Sequence, residues 1–159
     1  MMILKNIRAT KNFVKQKLLK LIKKFLSKDK KLIIIFEGNL GSGKTTIIKE
    51  IAKNLNIKED VKSPTFILWQ IYRFKLNKKN FFFHHIDLYR IEGREILKLN
   101  LKKALNNPYN LFLIEWGDKI INYLKNHKFL LLKLNILSKN KREINLIEIN
   151  KNERKVIIN

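Results

Sequence analysis

The chain has no cysteine among its 159 residues. That excludes disulfides, cysteine-ligated zinc and thiol catalysis together, and it fits a reducing compartment. Proline occurs twice, at Pro64 and Pro108, and glycine five times, three of them Gly38, Gly41 and Gly43. Histidine is limited to His84, His85 and His127, whose spacing does not suggest a metal site. Acidic residues number 13 against 35 Lys and Arg. No apolar run reaches the ~20 residues of a membrane-spanning helix. The basic N-terminus has its apolar residues interrupted by Lys every few positions, so it lacks the apolar core of a secretory leader. The expectation is a cytoplasmic protein with no membrane partner.

Apolar residues make up 45% of the chain and include ten Phe, enough for a continuous core. No repeat or flexible linker divides it, which predicts a single domain over residues 1–159, with its core at about 30–150. The formal net charge is +22. A polyanion partner is one reading, because Lys near phosphates releases counterions. Compositional drift is the other: Lys, Ile and Asn are all over-used, Lys far outnumbers Arg, and the basic residues run along the whole chain. That even spread favours drift.

Val14, Leu18, Leu21, Ile22 and Phe25 recur at helical spacing with Lys between them. This predicts an amphipathic helix at about residues 11–27. It leads directly into an apolar run, Leu32 to Phe36, which favours packing of its apolar face on the domain's own sheet over a membrane surface. Phe66 to Leu76 and Phe81 to Ile86 read as strands of a hairpin turning at Asn77 to Asn80. Glu92 to Leu105 reads as helix, stopped at Asn106-Asn107-Pro108. Leu111 to Ile114 reads as a buried strand, Gly117 to Asn126 as a short helix, and Phe129 to Leu137 with Ile144 to Ile149 as a closing hairpin. Strands alternating with helices predict an α/β fold. Its expected form is a P-loop NTPase-type three-layer sandwich, with a mostly parallel central sheet and antiparallel hairpin additions.

Gly38-Asn39-Leu40-Gly41-Ser42-Gly43-Lys44-Thr45 matches G-x-x-x-x-G-K-[ST], between a strand and a helix where that motif requires. Its glycines allow backbone turns that a Cβ would forbid, so successive N–H groups form an anion nest at a helix N-terminus. Lys44 is placed to reach the β- and γ-phosphates of ATP, Thr45 to offer a hydroxyl to Mg²⁺, and Thr46 to touch the α-phosphate. Glu115 ends the strand Leu111 to Ile114, where ligands of open α/β sheets sit, and is a second candidate for Mg²⁺. Asp87 follows another strand-like run and is a candidate to polarise a water or complete the Mg²⁺ shell. Arg90 either neutralises phosphate or pairs with Asp87. His85 and Tyr89 either orient neighbours or pack. Thr65, in Ser63-Pro64-Thr65-Phe66, lies where nucleotide switches sense a γ-phosphate.

These elements, in this order, resemble the bacterial TsaE (YjeE) family, small ATPases that act in making threonylcarbamoyladenosine in tRNA. The family pattern reads G-D-L-G-x-G-K-T-T, then S-P-T-F, then H-x-D-x-Y-R, then E-W. Here it is Gly38 to Thr46, Ser63 to Phe66, His85 to Arg90 and Glu115-Trp116, with Tyr72 after the second element. The resemblance runs from about Thr10 to Ile149. It implies ATP and Mg²⁺ as ligands and slow hydrolysis. It also implies a place beside a threonylcarbamoyl transferase complex of TsaD and TsaB type, with tRNA reached through that complex. Thr45 and Glu115 would hold Mg²⁺, Asp87 would be needed for hydrolysis, and Trp116 would lie on the nucleotide or partner side. Arg142 would lie near the nucleotide, and Thr10 would help enclose the adenine. Asn39 departs from the family's Asp, keeping shape and turn preference but losing a charge. Gly117 stands where Pro is common. Two other classes fit a phosphate loop: a small-molecule kinase, which six Arg and no lid-like insertion argue against, and an ATP-gated binding switch or tRNA clamp.

Overall fold

The computed structural model describes residues 2–91, 95, 99–150 and 153–158. The chain opens with β1 (Met2–Leu4), then a continuous helical rod of α1 (Ile7–Phe13), a π-helical turn (Val14–Leu18) and α2 (Leu19–Leu26). β2 (Leu32–Glu37) and α3 (Lys44–Asn54) follow. Next come β3 (Trp69–Leu76), β4 (Lys79–Asp87), α4 (Leu101–Leu105) and β5 (Asn110–Glu115). A 3-10 segment (Gly117–Leu124), β6 (Phe129–Ile136), β7 (Arg142–Asn150) and β8 (Glu153–Ile158) complete it. Of the helix expected over 92–105, positions 92–94 and 96–98 lie outside the described residues.

All eight strands form one sheet, in the order β1-β7-β6-β2-β5-β4-β3, with β8 also on β7. The four central strands, β6, β2, β5 and β4, are parallel. The edges are antiparallel: β3 on β4, and β7 on β6, β1 and β8. The sheet thus has a parallel centre of four strands, to which the two hairpins and both terminal strands add antiparallel pairings.

β2 is buried on both faces, as a central strand of a parallel core must be. Leu32, Ile34 and Phe36 face one apolar cluster, with Phe13, Val14, Leu18, Ile22 and Leu26 of the N-terminal rod and Ile47, Ile48 and Ile51 of α3. Ile33 and Ile35 face the other, with Leu105 of α4 and Ile120 and Leu124 of the 3-10 segment. The rod's five fully buried side chains stabilise its docking by roughly 10 kcal/mol before ordering entropy is counted. Val14, Leu18, Ile22 and Leu26 repeat every four residues, a spacing that drifts by about 40° per step on an ideal α-helix. Under-winding over Val14–Leu18 keeps them on one face. Asn6 caps the rod: its side chain accepts from the Ala9 N–H at 2.9 Å, so helix begins at Ile7, earlier than the apolar spacing indicates.

Two local departures from expectation have backbone causes. Phe66 to Leu68 is a turn, not the start of a strand. The Ile67 N–H donates to the Pro64 carbonyl at 3.0 Å, and Leu68 has φ +67°, so β3 starts at Trp69. The hairpin turns on Asn77 and Lys78 alone, both at positive φ, the mirror-image turn that two-residue hairpins favour.

Candidate functional site

The parallel register aligns three strand ends. Phe36 of β2 lies opposite Glu115 of β5, and Asp87 of β4 opposite the same Glu115. The chain leaving β2 and the two carboxylates thus emerge at one carboxyl edge of the sheet, the edge where open α/β sheets place ligands.

The loop after β2 is shaped by its glycines in two ways. At Gly38 the constraint is close approach: an added Cβ would meet the Leu134 carbonyl oxygen at 2.5 Å. At Gly41 and Gly43 there is room, but φ is +75° and +102°, which side-chain-bearing residues rarely adopt. The Ser42 N–H donates to the Asn39 carbonyl at 3.1 Å and closes the loop. α3 then starts at Lys44, so the N–H groups of Lys44, Thr45 and Thr46 have no intrahelical acceptor and sit at the positive end of the helix dipole. Such an end binds anions. Leu40 is exposed and Ser42 fully buried, its hydroxyl without a partner.

Lys44 is buried, and its Nζ donates to the carbonyls of Gly38 at 2.7 Å and Asn39 at 3.1 Å. The ammonium also lies 4.1 Å from the centroid of the Trp116 ring. Burial pushes the Lys44 pKa down, while Glu115, Asp87 and Asp118 pull it back up. The Asn39 carbonyl accepts from Lys44 Nζ and the Ser42 N–H, and the residue is exposed.

Glu115 and Asp87 are each only 3% exposed, so their charges need partners. Glu115 accepts from the Thr45 hydroxyl, 2.8 and 2.9 Å from its two oxygens, and from His85 Nε2 at 2.9 Å. A carboxylate only accepts, so Nε2 carries the proton. Asp87 accepts at Oδ2 from the hydroxyls of Thr65 and Ser63, and at Oδ1 from the Tyr89 N–H at 3.0 Å. Loop, carboxylates, Ser63, Tyr89 and Trp116 line one hollow. Arg90 lies outside it, 4.4 Å over the Phe66 ring and not paired with Asp87. Among the described residues, no three His, Cys, Asp or Glu side chains are grouped as for a metal ion. A Mg²⁺ site needs no such cage, because that ion keeps waters and takes phosphate oxygens with one or two protein ligands.

A second hollow lies on the other side of the same loop. Thr10 and Arg142 line it with Leu4, Ile7, Gly41 to Gly43 and Thr46. Thr10 donates to the Asn6 carbonyl at 3.3 Å. Arg142 grips the loop from behind: Nε donates to the Ser42 carbonyl and Nη2 to that of Gly41, each at 3.1 Å. Its Nη1 donates to the Ser138, Lys139 and Lys141 carbonyls. The structure thus gathers the two carboxylates, Thr10 and Arg142 around one loop, in two hollows, while Thr65 reaches the site only through Asp87 and Arg90 stays outside it. Two residues of the H-x-D-x-Y-R motif left open between orienting and packing take different roles. His85, on the strand face of Asp87, contacts Glu115. Tyr89 packs against Trp116, ring centroids 5.1 Å apart.

Among the described residues no helix is long and apolar enough to cross a membrane. The family model described as "Threonylcarbamoyl adenosine biosynthesis protein TsaE" matches residues 5–145. The chain is 38% identical over 149 residues to the tRNA threonylcarbamoyladenosine biosynthesis protein TsaE of Rickettsia felis, covering 92% of this chain and 79% of that one. To the protein of the same name in Rickettsia typhi it is 42% identical over 112 residues, covering 69% and 73%. Among solved structures it resembles Bacillus subtilis YdiB, with a TM-score of 0.60 and 23% identity over 90% of this chain and 80% of that one. That likeness supports a mixed α/β fold.

Proposed function

Since the chain belongs to the TsaE family and hence to tRNA threonylcarbamoyladenosine biosynthesis, we propose that it is a P-loop ATPase. It binds ATP with Mg²⁺, hydrolyses it slowly, and supports a threonylcarbamoyl transferase complex of TsaD and TsaB type. The observation carrying this reading is the meeting of Thr45 and Glu115 at the N-terminus of α3. Their oxygens lie 2.8 and 2.9 Å apart. A hydroxyl and a carboxylate are oxygen donors of the kind Mg²⁺ takes, so this pair would hold the cation beside the loop.

In this reading the loop N–H groups and Lys44 hold the triphosphate, and Thr45 and Glu115 hold the cation. When bound, Mg²⁺ draws charge from the β- and γ-phosphate oxygens. Lys44, already dry and beside two carboxylates, stays a cation and exchanges its loop carbonyls for phosphate oxygens. Asp87 orients the attacking water and takes up its proton, its own carboxylate fixed by Ser63, Thr65 and the Tyr89 N–H. Thr65 thereby couples the Ser63 to Phe66 turn to the γ-phosphate position. Arg142 positions the loop, and Thr10 borders the hollow that would receive the base.

The test is nucleotide binding with and without Mg²⁺, followed by phosphate release alone and with the transferase subunits. Lys44→Ala is expected to lose binding. Asp87→Asn is expected to bind normally and lose about a hundredfold or more in turnover. Equal binding by wild type and Lys44→Ala would overturn the reading.

A further inference from the structure

The excess positive charge is not uniform once placed on the fold. Residues 1–28 carry nine Lys and Arg and no Asp or Glu, whereas the other 131 carry 26 basic and 13 acidic. Most of that segment is the rod Ile7–Leu26, roughly 30 Å long at 1.5 Å per residue. Its apolar side is consumed by the sheet: Phe13, Val14, Leu18, Ile22 and Leu26 are each at most 1% exposed. Its outer side is basic, and Arg8, Lys11, Lys15, Lys20, Lys23 and Lys24 are all exposed. The first acid after the rod, Asp29, is neutralised by Lys79 at 2.6 Å. The result is a rod of one charge sign with no ion-pair partner among the described residues.

We propose that this outer face of the N-terminal rod binds the phosphodiester backbone of tRNA. Charge complementarity supports it, and the names of the relatives place their pathway on tRNA. A membrane surface fits less well, because an interfacial helix must bury its apolar side in lipid, and here that side packs on the domain's own core. Drift in composition fits less well too, since it adds Lys where surfaces tolerate it but does not clear acids from one face. The rod also starts at the loop: Asn6, Ile7 and Thr10 border the hollow that Gly41 to Gly43 line. RNA on this face would lie beside the nucleotide, contacting phosphates without reading bases.

The test compares two variants of equal net charge in the full chain. One is Lys15→Gln, Lys20→Gln and Lys24→Gln on the rod. The other is Lys102→Gln, Lys103→Gln and Lys125→Gln, exposed positions in or beside α4 and the 3-10 segment, across the sheet. Binding of an in vitro transcribed tRNA is measured across a salt series, with nucleotide binding measured in parallel. The rod variant is expected to bind tRNA about tenfold more weakly, with its salt slope reduced by roughly 2, at 0.7–0.9 per lost phosphate contact. The control is expected to bind like wild type, and both should bind nucleotide normally. Equal loss in both variants, loss in neither, or no tRNA binding by wild type overturns the proposal. So does competition by vesicles of phosphatidylcholine with 30% phosphatidylserine as strong as by tRNA. A wild-type chain that binds nucleotide but not tRNA sinks this inference alone, whereas failure of nucleotide binding sinks the reading of the loop alone.

Discussion

The Thr45 hydroxyl and the Glu115 carboxylate, 70 positions apart in the chain, meet at 2.8 and 2.9 Å. Glu115 also accepts a hydrogen bond from His85 Nε2 at 2.9 Å. Replacing it therefore removes the proposed Mg²⁺ ligand and strands one buried donor, His85 Nε2, and one half-buried donor, the Thr45 hydroxyl. Glu115→Gln retains shape and one acceptor but loses the charge. It should bind nucleotide with little dependence on Mg²⁺, and unfold with a loss of about 1–3 kcal/mol. Titration of a fluorescent ATP analogue with and without Mg²⁺, beside urea unfolding, checks both. Unchanged Mg²⁺ dependence would remove Glu115 from the metal site.

Stability should fall in mild acid through His84. This ring is 4% exposed, accepts at Nδ1 from Trp69 Nε1 at 3.1 Å and stacks on Phe112 with centroids 4.5 Å apart. Burial lowers its pKa from 6.5 to about 4, against a smaller upward pull from Asn110. The unfolded chain thus binds the proton first as pH falls. The stabilising difference is fully present above pH 6.5 and is lost between there and about pH 4. The loss is of order 3 kcal/mol at 1.36 kcal/mol per unit. Urea unfolding from pH 7.5 to 4.5 should show this slope in wild type and a flatter one in His84→Gln. Parallel slopes would mean that other groups carry the acid sensitivity.

The loop and the two carboxylates were legible because each is encoded locally: apolar runs mark strands, and strand ends mark the ligand edge. The turn at Phe66 to Leu68 was not, because those residue types favour strands and only the Pro64 carbonyl and the positive φ of Leu68 decide otherwise. The place of the terminal strands in the sheet was hidden in pairing. β1, too short to read as a strand, finds its place only on β7, with Met2 opposite Ile144. The basic face was hidden in part: the acid-free stretch 1–28 stands in the sequence, but its charge becomes one-sided only when the rod buries its apolar side.

Asn39 is the position where the loop departs from the family pattern, and its geometry predicts a small consequence. Its carbonyl accepts from Lys44 Nζ and from the Ser42 N–H, work that any residue can do. The side chain is exposed, where an added charge is screened by solvent. Asn39→Asp should change nucleotide affinity less than threefold and leave turnover within the same range. A tenfold change in phosphate release would show that the position tunes the γ-phosphate directly.

Arg142 should matter through the loop rather than through the nucleotide. Its Nε and Nη2 hold the carbonyls of Ser42 and Gly41, about 100 positions away, while Nη1 ties down the turn before β7. A guanidinium spans these acceptors with a rigid fork, and the single ammonium of Lys does not. Loss of that fork loosens a loop whose other ties among the described residues are the Ser42 to Asn39 bond, the Lys44 bonds and the Ile47 N–H bond to the Gly43 carbonyl. Ordering it again on binding would cost about 1 kcal/mol per residue, so losing one or two ordered residues means roughly tenfold in affinity. Arg142→Lys and Arg142→Ala should therefore weaken ATP binding alike. Faster amide exchange in the loop should accompany both. If Arg142 instead neutralised phosphate directly, Lys would restore much of the affinity that Ala loses, and the exchange rates would not move.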